Sequence, residues 1–158
     1  MIAALMLFQS HCMGETIDRV VAFVDDIAIT HRELERQYAK DISRFPSRNR
    51  NETLEAMINT ALMLKDARRL HLWADNDTDL LQKYLDLKIR AIVYVSDRDV
   101  AEYYKENRGA FGGRVLEEAK PEIRHFLEEL HFNRALKEHI AGLRVSAIIV
   151  VLDGRPSG

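Results

Sequence analysis

Two short apolar runs, one near each end of the chain, constrain the fold of these 158 residues more than any other feature. The first is Arg19-Val-Val-Ala-Phe-Val24, which passes an Asp25-Asp26 break into Ile27-Ala-Ile29 and Thr30; the second is Ser146-Ala-Ile-Ile-Val-Val-Leu152. Both are rich in β-branched residues and too short for globular helices, so they read as strands. Nearly everything between them reads as helix. A lone strand leaves its backbone groups unpaired, so the simplest solution pairs the two ends and closes a helical body between them. The expected fold class is mainly α with a small β-sheet, with Val20 to Val24 beside Ile148 to Leu152. A charge placed at Val21 or Ile149 is then expected to loosen the fold.

Helix punctuation fills the interval. Thr30-His-Arg-Glu33 is a capping box opening a helix to about Ser43, which Phe45-Pro46 ends. Ser47 to Asn51 reads as a polar loop. From about Glu52 to Leu70, the residues Leu54, Met57, Ile58, Ala61, Leu62 and Leu70 fall near one stripe. Asp75-Asn-Asp-Thr78 opens a helix to about Val95, and Ser96-Asp-Arg-Asp99 caps a shorter one carrying Val100, Tyr103 and Tyr104. Phe111-Gly112-Gly113 marks the interior joint. A final helix is expected from about Leu116 to Leu143, bent or restarted at Pro121.

Composition removes several function classes. With 47% hydrophobic residues, 30% charged and a net charge of -2, the chain has no basic stripe for nucleic acid and no acidic tail. Ile2 to Phe8 is too short to span a bilayer but suits the apolar region of a secretory signal. Residues 1–14 are therefore expected to be a signal segment and 15–158 a single domain, exported to the periplasm or another extracytoplasmic space. Cleavage after Gly14 would remove Cys12, the one cysteine, and with it any disulfide or thiol chemistry.

No glycine-rich phosphate loop, HExxH, GxSxG or paired cysteine is present. The histidines His11, His31, His71, His125, His131 and His139 are scattered, and the spacings of six and eight within the last three do not make an i, i+4 metal pair. Each of them reads as solvated or capped. Glu117-Glu118 and Glu128-Glu129 read as solubilising surface. No catalytic residue, metal site or cofactor is assigned.

Residues Asp18 to Leu34 resemble the opening of SurA-type periplasmic chaperones and their parvulin-linked relatives. Leu54 to Leu70, Val95 to Asn107, Leu116-Glu-Glu-Ala-Lys-Pro-Glu-Ile123 and Ala135 to Leu152 extend the resemblance over nearly the whole mature chain. It implies a helical cradle closed by pairing of the first and last strands. Members with prolyl-isomerase activity carry a parvulin domain after the segment resembling Tyr103 to Phe111. Here Phe111-Gly112-Gly113 leads almost directly to Leu116, so isomerase activity is not expected.

What remains is binding. The resemblance implies an ATP-independent chaperone for unfolded or extended segments of envelope and outer-membrane proteins, without nucleic acid or a cofactor, not requiring membrane association, and open to homodimer formation. The alternative is a non-catalytic assembly module for one dedicated partner. Candidate client-binding residues are Phe45, Met57, Met63, Tyr103, Tyr104 and Phe111, since methionine adapts to many shapes and tyrosine joins apolar contact to a hydrogen bond. Burial preference alone favours a core role for Met57, Met63 and Phe111.

Overall fold

The computed structural model of the chain describes residues 18–152, so the expected signal segment and Cys12 lie outside the described residues. Val20–Val24 forms β1 and Ile27–Thr30 forms β2. Between them Asp25 takes φ 54, a left-handed conformation that aspartate tolerates better than most residues. Ile149–Val151 forms β3, and β1 pairs antiparallel with both neighbours, giving the order β2-β1-β3. In register, Val24 lies between Ile27 and Ile149, and Phe23 between Ala28 and Val150. Alternation then sends Val24, Ala22, Ile29 and Ile149 toward the helices and turns Phe23 and Val150 away.

Helix α1 (His31–Arg44) starts at the capping box read from the sequence. The Glu33 amide donates to the Thr30 hydroxyl at 3.3 Å, and the Thr30 amide donates to the Glu33 carboxylate at 2.9 Å. Helix α2 (Arg50–Arg69) begins the same way on Asn49 and Glu52, a box set within the segment expected to be a polar loop. It ends with the Leu72 amide donating to the Ala67 carbonyl and the His71 amide to the Arg68 carbonyl, a Schellman pattern whose left-handed position is His71 at φ 58.

Two helix boundaries differ from expectation. Helix α3 (Asp77–Lys88) stops short of Val95; Arg90–Ile92 forms a 3-10 turn and Val93 is extended. Helix continuation would deny Val95, which is buried, its place against Val100 and Phe111. Helix α4 (Asp97–Glu106) follows the Ser96 cap, and a 3-10 turn at Arg108–Phe111 leads to Gly112 at φ 59 and Gly113 at φ 86. Helix α5 (Leu116–Val145) is one uninterrupted helix of 30 residues through Pro121, about 45 Å long at 1.5 Å per residue. Proline there removes only the bond to the Glu117 carbonyl, on an exposed face where water can replace it.

The fold is therefore mainly helical with a small three-stranded antiparallel sheet. Its core falls into three clusters. The sheet packs on α1 and the first half of α2 through Val21, Val24, Leu34, Leu54, Ile58 and Leu62. The second half of α2 meets α3 through Met63, Ala67, Leu80 and Tyr84, with Leu136 and Ile140 of α5 alongside. Near its start, α5 holds α4 through Ala119, Ile123 and Leu127. No helix of the described residues is long and apolar enough to cross a membrane.

Candidate functional site

A cleft of about 430 Å³ opens between β2, α1 and α2. Its walls follow directly from the periodicities of the elements. Residues Ile27 and Ile29 of β2 point inward at strand spacing, while Met57, Ala61 and Leu64 of α2 recur at i, i+4 and i+7. Opposite them Glu33, Gln37 and Asp41 are spaced four apart on α1, so the cleft has an apolar floor and a polar rim.

Asp41 anchors that rim. Its carboxylate accepts from Gln37 Nε2 at 2.8 Å, from the Arg48 guanidinium at 3.0 Å and from the Thr53 hydroxyl at 3.1 Å. Burial pushes the carboxyl pKa up, but the three donors outweigh it and hold the group below its ordinary value. Thr53 is fully buried at this junction, and Arg48 lies over the Phe45 ring with 5.4 Å to its centroid. The Asp41 network thus ties the end of α1 to the start of α2. A carboxylate committed to three donors is a structural anchor rather than a poised acid or base.

The edge of β2 adds a backbone element. Asp25 donates its amide to the Ile148 carbonyl at 2.7 Å, and the Leu152 amide donates to the Val21 carbonyl at 2.9 Å. Odd-numbered residues of β1 therefore face β3, and Ala22 and Val24 face β2. Their partners Ile29 and Ile27 take up those bonds, which leaves the Ala28 amide and carbonyl directed to the sheet edge, where no strand lies beside them among the described residues. Ala28 also lines the cleft.

The six residues singled out from the sequence do not form one surface. Met57 lines the cleft while packing on the sheet cluster. Met63 is buried against α3, and Phe111 is buried between α4 and α5, so neither presents a side chain to a client. Their burial follows from position: Met63 sits on the α2 face turned to α3, and Phe111 closes the 3-10 turn over Val100. Tyr103 and Tyr104 are half-buried beside Phe111, with ring centroids at 6.5 and 5.4 Å, and the Tyr104 hydroxyl donates to the Arg114 carbonyl at 2.7 Å. Phe45 is exposed at the end of α1.

One polar cluster escaped the sequence reading altogether. Tyr84, fully buried, donates its hydroxyl to Asp66 at 2.7 Å and meets His139 Nε2 at 2.5 Å, joining α3, α2 and α5. His139 is thus half-buried and hydrogen-bonded rather than solvated. Burial, reinforced by the bond to Asp66, pushes the Tyr84 hydroxyl pKa well up, which makes it a poorer proton donor. The cluster reads as an internal fastening. The i, i+4 spacing of Leu80 and Tyr84 hints at burial, but only the packing of α5 supplies the histidine.

Among the described residues, no group of three or more His, Cys, Asp or Glu side chains could hold a metal ion. Neither protein-family models nor curated proteins match the chain.

Proposed function

We propose that this chain is an ATP-independent, chaperone-like protein that binds extended segments of unfolded envelope proteins. The observation that carries the reading is the cleft between β2, α1 and α2. Its volume of about 430 Å³ lies within the range of about 300–1,000 Å³ for ligand clefts. Adaptable Met57 forms part of its floor, and the edge at Ala28, unpaired among the described residues, offers one amide and one carbonyl to an extended backbone. An apolar side chain of the client fills the floor while its backbone pairs with Ala28.

The resemblance of Asp18 to Leu34 and of the terminal helix-strand to SurA-type chaperones supports the same reading. Pairing of β1 with β3 accords with the cradle that this resemblance implies. The proposed binding needs no catalytic step, and the Phe111-Gly112-Gly113 joint, which leads to α5 with no parvulin domain between them, supports that part of the reading. Export follows the apolar run Ile2 to Phe8.

The test is aggregation of a urea-denatured outer-membrane protein on dilution, followed by light scattering, with and without excess purified chain. Suppression is expected, and Met57→Glu should weaken it while the thermal transition stays cooperative. Binding of one stoichiometric partner, with no effect on unrelated unfolded proteins, would replace this reading by a dedicated assembly module. Absence of both suppression and binding would sink it, as would undiminished suppression by the Met57 variant.

A further inference from the structure

A carboxylate closes one end of the β2 edge. The His31 amide donates to the Arg19 carbonyl at 2.7 Å, toward β1, so strand alternation turns the Thr30 amide outward, to the same side as that of Ala28. No strand takes it up among the described residues; it donates instead to Glu33 Oε2 at 2.9 Å. The Thr30 hydroxyl donates to the same oxygen at 3.0 Å, and Glu33 Oε1 accepts from no described residue. The carboxylate therefore stands where the carbonyl of an added strand would lie two residues past Ala28, about 7 Å along the edge. Glu33 is also the acidic side chain of the cleft wall that lacks a counter-ion. Asp41 is paired with Arg48 at 3.0 Å and Asp77 with Arg68 at 2.6 Å. Among the described residues no cation pairs with Glu33: Arg32 and Arg50 are turned to Asp18 and Glu35.

We propose that Glu33 sets the charge of the segment the cleft accepts: an extended stretch in which a lysine or arginine flanks the apolar residue seated on the floor, acidic flanks being rejected. The inference rests on the cleft reading above and adds a sequence preference to it. A strand paired at Ala28 sends alternate side chains to the floor, beside Ile27 and Ile29. Where it leaves the edge toward Thr30 it meets the Glu33 carboxylate. An aspartate or glutamate there is repelled, whereas a lysine or arginine supplies the absent counter-ion and lays its methylenes along the apolar wall. Glu33 is exposed, so the attraction is modest, and salt screens it. The carboxylate limits the length of pairing as well, because it already occupies the next outward amide.

Calorimetric titration of the full chain with short peptides that share a Leu-Thr-Leu centre and carry Lys, Gln or Glu on both flanks reads the preference. At low salt the Lys-flanked peptide should bind about threefold tighter than the Gln-flanked one, and the Glu-flanked one weaker still. Salt at about 0.5 M should erase the order. Glu33→Gln keeps an oxygen for the Thr30 donors, so the capping box and a cooperative thermal transition should persist while the Lys and Gln peptides come to bind alike. Glu117→Gln removes the same charge from the start of α5 and should leave the preference intact. Equal affinities for the three peptides overturn the proposal while the cleft reading stands, and so does a preference that survives Glu33→Gln. A preference lost equally in Glu117→Gln also overturns it, by assigning the effect to net charge. Failure of every peptide to bind overturns the cleft reading together with this one.

Discussion

Asp25 and Ile148 are joined twice across 123 residues of sequence: the Asp25 amide donates to the Ile148 carbonyl at 2.7 Å, and the Ile148 amide donates to the Asp25 carboxylate at 2.7 Å. Lys65 of α2 reaches the same carboxylate at 3.0 Å. One turn residue therefore holds the last strand and α2 to the hairpin. The Ile148 amide, followed by Lys65, holds the Asp25 carboxyl pKa below its ordinary value of 3.8.

Asp25→Ala should accordingly accelerate amide exchange at Ile148 and lower the melting temperature, with α4 and the start of α5 unaffected. Asp25→Asn keeps an acceptor and the tolerance for φ 54, so it should fall between the two. Because the folded pKa is depressed, the contribution is complete above 3.8 and is lost as pH falls through the folded value. Equal exchange rates in all three proteins would refute the double link.

His139 sets an earlier acid response. Tyr84 has one hydroxyl proton, given to Asp66, so the proton on the short contact comes from His139 Nε2. Burial, then Lys88, lowers the His139 pKa from its ordinary 6.5, with Asp66 opposing in part. The folded state thus favours neutral imidazole: its stabilisation is intact above 6.5 and declines as pH falls below that value. Melting temperatures from pH 7.5 to about 5 should drop more steeply in the original protein than in His139→Gln. Parallel curves would show that His139 does not titrate this way.

Phe45 and Phe111 should separate surface from core. Phe111→Ala leaves a cavity between α4 and α5 and should cost about 3–5 kcal/mol. Phe45, 57% exposed, should cost about 0.5 kcal/mol or less on the same change. Urea titrations read both values, and similar losses would contradict the two placements.

His71 stands where a helix end usually places glycine. Its φ of 58 is a conformation that costs L-residues roughly 1–2 kcal/mol, offset in part by the greater flexibility of an unfolded glycine. His71→Gly should therefore stabilise by about 0.5 kcal/mol, seen as a higher denaturation midpoint at unchanged slope. A lower midpoint would show that the imidazole makes a compensating contact.

Local signals are legible in the sequence where their chemistry is short-range. The Thr30 and Ser96 boxes and the runs at β1 and β3 are visible because each needs only neighbours three or fewer residues away, or a strand's own composition. The Asn49 box is harder to see because it lies inside a run of polar residues, although Glu52 stands three residues on. Helix α3 ends before the expected Val95 because the apolar spacing that continues through Ile92 and Val93 is local, while the pull on Val95 comes from Val100 and Phe111. Of the cleft, Met57 was legible and its partners were not: Asp41 reads as one more solvated charge until Arg48 and Thr53 close around it.

What the sequence by itself determined is the set of elements: short β-branched runs cannot be helices, and capping chemistry starts helices at Thr30, Asn76 and Ser96. Only the tertiary structure decided which faces those elements bury. Met63 and Met57 differ by six residues on one helix, yet one is enclosed by α3 and the other opens on β2. Asp66, Tyr84 and His139 meet only because α5 crosses α2 and α3. Periodicity reports that a residue has a face; the packing of distant elements determines what that face meets, and so whether Ile148 and Val150 are buried or exposed.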